Sequence, residues 1–154
     1  SMAIQLKSTR VERWAVAGSF VIARGAKTFV DVVVAEVEGA GATGRGEGTP
    51  VDYLGEHAAG CRDEILRAAR HIAGLEAFEA RAAVQELMAP GAARNALDCA
   101  LWDVEAKQRG LRLWQLAGCE GAPTARVTAL TISLGSPGAM ALSLIHISEP
   151  TRPS

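Results

Sequence analysis

Apolar positions along this chain change period near Tyr53, from strand-like spacing before it to mainly helical spacing after it. Before that point Ile4 and Leu6, then Val11, Trp14 and Val16, are spaced as strand residues, with an interruption near Ser8-Thr9. They predict one long strand or two short ones over Ala3–Ala17. Gly18–Lys27 (GSFVIARGAK) is punctuated by glycine and carries two cations, so a loop is expected there. Thr28–Glu38 (TFVDVVVAEVE) is the clearest strand, β-branched and bounded by Gly39. A turn at Gly39-Ala40-Gly41 then feeds a weaker strand, Thr43–Gly48, which completes an antiparallel meander.

Beyond Tyr53, Ala58, Cys61, Ile65, Leu66, Ala69 and Ile72 follow helical spacing and stop at Gly74. Leu75–Met88 predicts a second helix, closed by Pro90-Gly91. The third, Pro90–Gly110 (PGAARNALDCALWDVEAKQRG), organises the rest. At about 100° per residue, Ala93, Ala96, Leu97, Ala100, Leu101 and Val104 share one face. Cys99, Trp102 and Ala106 form a second apolar strip, so this helix is expected to pack between two neighbours. Lys107 and Arg109 suit its last turn, and Gly110 suits its stop. Arg112–Ala117 predicts a short helical turn closed by Gly118. After Gly121-Ala122-Pro123, Arg126–Leu134 (RVTALTISL) reads as a strand intended for burial. Ser136-Pro137 reads as an N-cap followed by proline at the first helical position. Three strands followed by three to four helices define an α+β domain, and the last strand and helix start read as the first step of a βα repeat.

Composition narrows the class without naming a chemistry. The 154 residues are 49% hydrophobic and 21% charged with a formal net charge of -1, as for a soluble globular protein. The 16 Lys and Arg are scattered and matched by 17 acids, which argues against nucleic acid as a partner. No apolar run approaches the roughly 20 residues that span a bilayer, and no signal peptide is expected at the start. Ser1 ahead of Met2 is expected to be a frame remnant. Cys61, Cys99 and Cys119 lack metal-ligand spacing and are expected to be small buried hydrophobes in a reducing cytosol. His57 and His71 are expected to be exposed structural residues. The tail from Leu142 to Ser154 drops the helical pattern, ends in proline and serine, and resembles translated sequencing-adapter read-through. It is expected to be non-native, and His146 carries no weight.

The helix AARNALDCALWD, the loop FVIARG with the following KTFVDVVVAEVE, the GRGEGTP turn around Glu47 and the strand LTISLGSP together resemble one family. It is the mandelate racemase/muconate lactonizing branch of the enolase superfamily, and within it the L-Ala-D/L-Glu dipeptide epimerases. The resemblance runs from about Ile4 to Ala141. It implies an N-terminal capping domain over 1–123 and, over 124–141, the first strand and helix start of a (β/α) barrel. It also implies the reaction: a proton leaves the carbon beside a carboxylate, Mg²⁺ on three barrel carboxylates stabilises the enolate, and two facing lysines exchange the proton. The substrate implied is a small dipeptide, L-Ala-D-Glu going to L-Ala-L-Glu in murein-peptide recycling.

No catalytic or metal-binding residue is expected within this chain, since those of the family follow the Ser136 helix. Glu47, Asp98, Asp103 and Glu105 read as a turn acid and helix acids of the cap. Two positions carry over as substrate-binding candidates. Arg24 lies in the loop that in the family closes over the barrel mouth, where a guanidinium can grip a distal carboxylate in two places. Thr131 aligns with a barrel-strand threonine whose hydroxyl faces the substrate, and Lys27 is a weaker candidate beside Arg24. A fragment of this kind is expected to be inactive by itself and to self-associate through its uncovered apolar strip and strand. Other muconate-lactonizing-type enzymes remain alternatives (N-succinylamino-acid racemases, o-succinylbenzoate synthases, cycloisomerases), as does a non-catalytic α+β binding module.

Overall fold

The structure, a computed structural model, describes residues 2–22, 25–129, 132 and 135–148. It divides into two compact units, Ser1–Trp14 with Asp31–Pro123, and Ala15–Val30 with Thr124–Ser154.

Three strands, β1 (Gln5–Ile22), β2 (Gly25–Gly39) and β3 (Ala42–Gly48), form one sheet in that order. β2 and β3 are antiparallel, in register from Val33↔Gly48 to Gly39↔Ala42. Their connection places Ala40 at φ 50 and Gly41 at φ 77, the left-handed pair that matches strand twist in a two-residue hairpin. β1 meets β2 through Gln5 Nε2 donating to Glu38 (2.8 Å), Thr9 Oγ1 donating to the Val34 carbonyl (2.9 Å) and the two-point Arg13–Asp31 pair (2.7 and 2.8 Å). Partner numbers fall as β1 numbers rise, as an antiparallel pairing requires. The loop expected at Gly18–Lys27 is therefore mostly strand, because β1 runs to Ile22 and β2 starts at Gly25. Phe20, Val21 and Ile22 are strong β formers and favour extending the ladder over opening a loop.

Helices α1 (Ala58–Ile72), α2 (Ala77–Leu87), α3 (Ala92–Arg109) and α4 (Leu113–Leu116) follow. α1 is capped by His57, whose Nδ1 accepts from the Gly60 amide (2.9 Å), so that histidine has a structural role. Its buried face is Cys61, Ile65, Ala68, Ala69 and Ile72. Leu66, expected inside, is exposed, because it lies a further 100° or so round from Ile65. Ile4 is anchored beside the α1–α2 connection by its N–H to the Leu75 carbonyl and by the Gly74 N–H to its own carbonyl, both 2.9 Å. α3 ends as its sequence predicts: Gly110 sits at φ 64 and the Leu111 N–H reaches back to the Ala106 carbonyl (2.9 Å), the Schellman pattern.

The core of this unit joins Val33, Ala35 and Val37 of β2 to Ile65 and Ile72 of α1, Val84 of α2, and Leu97, Leu101 and Val104 of α3. All six residues of the predicted first face of α3 are buried. Val32 and Val34, on the other face of β2, are buried as well, which accounts for the uncharged VVVA run at the strand's centre.

In the second unit, α5 (Pro137–Ser148) begins as expected, with the Ala139 N–H donating to Ser136 Oγ (3.3 Å). It continues to Ser148, beyond the break expected at Leu142; Leu142 and Leu144 favour a helix, and neither glycine nor proline falls between Leu142 and Ser148. The strand expected over Arg126–Leu134 is not seen among the described residues. Arg126–Ala129 and Ile132 have no ladder partner, whereas Leu130, Thr131, Ser133 and Leu134 lie outside the described residues. A strand of the buried parallel type forms only between neighbouring strands, and none among the described residues pairs with it.

Candidate functional site

The seam between β3 and α3 is built from two residue rows on one helix. Ala92, Ala96, Ala100 and Val104, four apart, face Gly44, Gly46 and Gly48, two apart. The two repeats advance together, about 6 Å per four helical residues and about 6.6 Å per two strand residues. A β-carbon at Gly44 would strike the Ala100 carbonyl oxygen and the Val104 amide nitrogen. One at Gly46 would strike the Ala96 carbonyl, and one at Gly48 the Ala92 carbonyl. The GRGEGTP motif is thus a close-packing surface along a strand rather than a turn.

The adjacent row, Asn95, Cys99, Asp103 and Lys107, covers the free edge of β3. Asn95 Nδ2 donates to the Glu47 carbonyl (3.0 Å), the Arg45 N–H donates to Asp103 (2.9 Å), and Lys107 Nζ donates to the Thr43 carbonyl (2.8 Å). Lys107 also pairs with Asp103 (2.7 Å). These contacts satisfy edge groups that would otherwise invite another strand.

On its α2 side α3 carries a charged cluster. Glu105, 3% exposed, takes Arg81 Nε at 2.9 Å and Nη2 at 2.7 Å on one oxygen, and Arg109 at 2.9 Å on the other. The Arg81 guanidinium stacks 3.6 Å above the Trp102 ring. The second apolar strip therefore does not form one surface: Cys99 joins the β3-edge row, Trp102 lies under Arg81, and Ala106 is buried. The expectation of two neighbours holds, with the sheet on one side and α2 on the other.

Asp98 accepts from Gln85 (3.2 Å). Burial raises its pKa from the ordinary aspartate value, against the opposing pull of Arg81, Gln85, Arg94 and the Trp102 indole. A carboxyl raised in the folded state favours folding when protonated, and that contribution is lost as pH rises through the folded pKa. Asp98→Asn is expected to raise stability at pH 7 by less than about 1 kcal/mol after solvent screening, seen as a higher thermal midpoint. The gain should vanish near pH 3, where both forms are neutral; paired melts at the two pH values check this.

These acids do not suit Mg²⁺. Asp98, Asp103 and Glu105 already accept from nitrogen donors, while Glu47 stands exposed on β3. Among the described residues no three His, Cys, Asp or Glu side chains converge as a metal site. Of the cysteines only Cys61 is buried; Cys99, on the side of α3, and Cys119, in the irregular segment after α4, are exposed, contrary to expectation. Burial pushes the Cys61 thiol up, and partial desolvation of the Cys99 sulfur, with the Asp98 charge beside it, pushes that thiol up although the residue is exposed.

Arg24 and Thr131 lie outside the described residues, so the structure neither brings them together nor separates them. Lys27 has its backbone in β2. Sequence reading missed Arg81 and the glycine row of β3. It also missed Glu56, whose carboxylate bridges the Val51 and Ala92 amides. The alternation of glycine with charged residues in GRGEG was the one available signal.

Residues 4–118 match the mandelate racemase/muconate lactonizing enzyme N-terminal domain, and the chain belongs to that family. A three-stranded antiparallel sheet backed by helices is the enolase-superfamily N-terminal architecture. The chain is 40% identical over 132 residues to L-Ala-D/L-Glu epimerase of Escherichia coli K12, covering 86% of this chain and 40% of that protein. It superposes with TM-score 0.77 and 44% identity on an enolase family member from Agrobacterium tumefaciens with homology to dipeptide epimerases, a structure with bound sodium and L-Ala-L-Glu. That match covers 93% of this chain and 42% of the other. A dipeptide epimerase from Enterococcus faecalis V583, complexed with Mg and L-Leu-L-Tyr, superposes at TM-score 0.81 and 28% identity over 94% of this chain and 42% of its own. The chain thus spans about two fifths of the length of these relatives. No helix among the described residues is long and apolar enough to cross a membrane.

Proposed function

We propose that this chain is the capping portion of a dipeptide epimerase acting on L-Ala-D/L-Glu, an isomerase that inverts the second residue by 1,1-proton transfer. The observation that carries it is the 44% identity, over 93% of the chain, to the structure holding L-Ala-L-Glu. Identity to the protein holding L-Leu-L-Tyr is lower, 28%, which favours an acidic second residue. Residues 1–123 are the cap and 124–141 the first barrel strand and helix start, with 142–154 non-native. The assignment implies a cytoplasmic enzyme of murein-peptide recycling. Mg²⁺, named in the E. faecalis complex, would stabilise charge at the carboxylate when bound; on this reading its ligands belong to the barrel. The reading makes the chain inactive alone and open to self-association.

Arg24 reads the distal carboxylate and Thr131 faces the substrate. A charge-assisted pair partly shielded from water is worth on the order of 1.5–3 kcal/mol. Fusing residues 2–141 to a related epimerase barrel and replacing Arg24 by Ala should therefore cost roughly 10- to 150-fold in kcat/KM for Ala-Glu. The contact is remote from the reacting carbon, so the loss should fall mainly on KM, and a dipeptide with an uncharged second side chain should change little. Equal losses for both substrates would make Arg24 a loop-positioning residue. No loss for either would remove it from the site.

A further inference from the structure

Between β3 and α1 the chain passes through a short 3₁₀ turn, Asp52–Leu54, that buries none of its own residues. Tyr53 and Leu54 are 76% and 68% exposed, so the turn's place is not set by burying its own apolar side chains. Its backbone folds onto itself: Leu54 N–H donates to the Val51 carbonyl (2.9 Å), Gly55 N–H to Asp52 (3.0 Å) and Glu56 N–H to Val51 (3.3 Å). Gly55, at φ 76, supplies the left-handed residue that this closure needs.

The Glu56 carboxylate ties this turn to the helix layer. Oε2 accepts from the Val51 N–H (2.9 Å) and Oε1 from the Ala92 N–H (2.8 Å). Ala92 is the first residue of α3, where amides have no partner within the helix, and an anionic acceptor there also suits the helix dipole. The carboxylate reaches this amide because Gly91 has no side chain; a β-carbon there would strike Oε1. One side chain thus serves a loop donor and a helix donor that are distant in sequence. If Glu56 leaves with the turn, α3 loses its cap; if it stays, the turn loses Val51.

We propose that Glu56 is a latch that makes the Val51–Gly55 turn and the first turn of α3 open and close as one unit, separately from the part of the core around Leu97 and Leu101. A ligand or partner that presses the turn down then firms the start of α3, and one that lifts the turn frays it. Coupling of this kind transmits contact at Tyr53 and Leu54 to the helix that carries the seam with β3.

The test is residue-resolved amide exchange on the whole chain and on Glu56→Gln. Glutamine keeps one acceptor oxygen and turns the other position into a donor facing a donor. Val51 and Ala92 amides should both exchange about tenfold faster in E56Q, and chymotryptic cleavage after Tyr53 or Leu54 should accelerate similarly. Leu97 and Leu101 should stay within about twofold. If Ala92 alone accelerates, the carboxylate is only a helix cap and the latch is wrong. If Leu97 and Leu101 accelerate as much as Val51, Glu56 supports the whole domain and the latch is again wrong. The unsubstituted chain provides a second measurement should E56Q fail to fold. Val51 and Ala92 should share one protection factor and one denaturant dependence, both below those of Leu101, and unequal dependences overturn the proposal.

Discussion

Gly46→Ala is expected to lower stability by at least about 3 kcal/mol, a large share of the roughly 5–15 kcal/mol that holds a domain folded. The added β-carbon meets the Ala96 carbonyl oxygen, the Ala100 amide nitrogen and the Cys99 β-carbon. Two of those are backbone atoms of α3, which cannot move aside as a side-chain tip would. Relief requires β3 and α3 to separate, and separation gives up burial at Ala96, Ala100 and Val104 together. Gly41→Ala is the matched control: Gly41 sits at φ 77 with nothing near its would-be β-carbon. Its cost should be only the left-handed backbone strain, about 1–2 kcal/mol. Urea unfolding of the two variants, followed by far-ultraviolet circular dichroism, checks the ordering. Equal losses would mean that the seam has more room than its geometry indicates.

Glu105→Ala should cost about 3–5 kcal/mol, the range for breaking a buried ion pair by deleting one partner. The Glu105 side chain is 4% exposed and that of Arg81 20%, so Arg81 would be left partly buried over Trp102 without its counter-charge. Arg109, with a side chain 47% exposed, can turn to water and adds little. Removing both charges should recover most of the loss, because the desolvation penalty goes with them. Arg81→Met combined with Glu105→Leu is therefore expected within about 1 kcal/mol of the parent. A double variant as unstable as Glu105→Ala would show that packing against Trp102, rather than the unpaired charge, sets the cost.

The two results bear on how the cap is held together. Neither the glycine row nor the buried ion pair announces itself as a hydrophobic stripe, yet each places α3. The glycine row sets how close the helix comes to the sheet, and the Arg81–Glu105 pair ties it to α2. Asn95, Asp103 and Lys107 then close the β3 edge.

Local pattern alone determined that three strands come first and in what order, though not how far β1 and β2 extend, together with the order of the helices and the buried face and C-terminal stop of α3. Side-chain period and backbone conformation are set within a few residues, so sequence neighbours carry that information. The family, too, was legible in short motifs such as AARNALDCALWD. Tertiary structure decided what neighbouring residues could not. GRGEG has a period of two in small residues, which leaves no hydrophobic signal, and its meaning appears only when Ala92, Ala96 and Ala100 lie against it. Glu56 is one acid among 17 until the fold brings the Val51 and Ala92 amides to its two oxygens. Cys99, Trp102 and Ala106 read as one strip on a helical wheel, yet the sheet edge, Arg81 and the core claimed one each. The stretch Arg126–Leu134 shows the same dependence in reverse, with no ladder at its described residues. Its β-branched residues express a preference, but a ladder needs a partner strand to accept its hydrogen bonds.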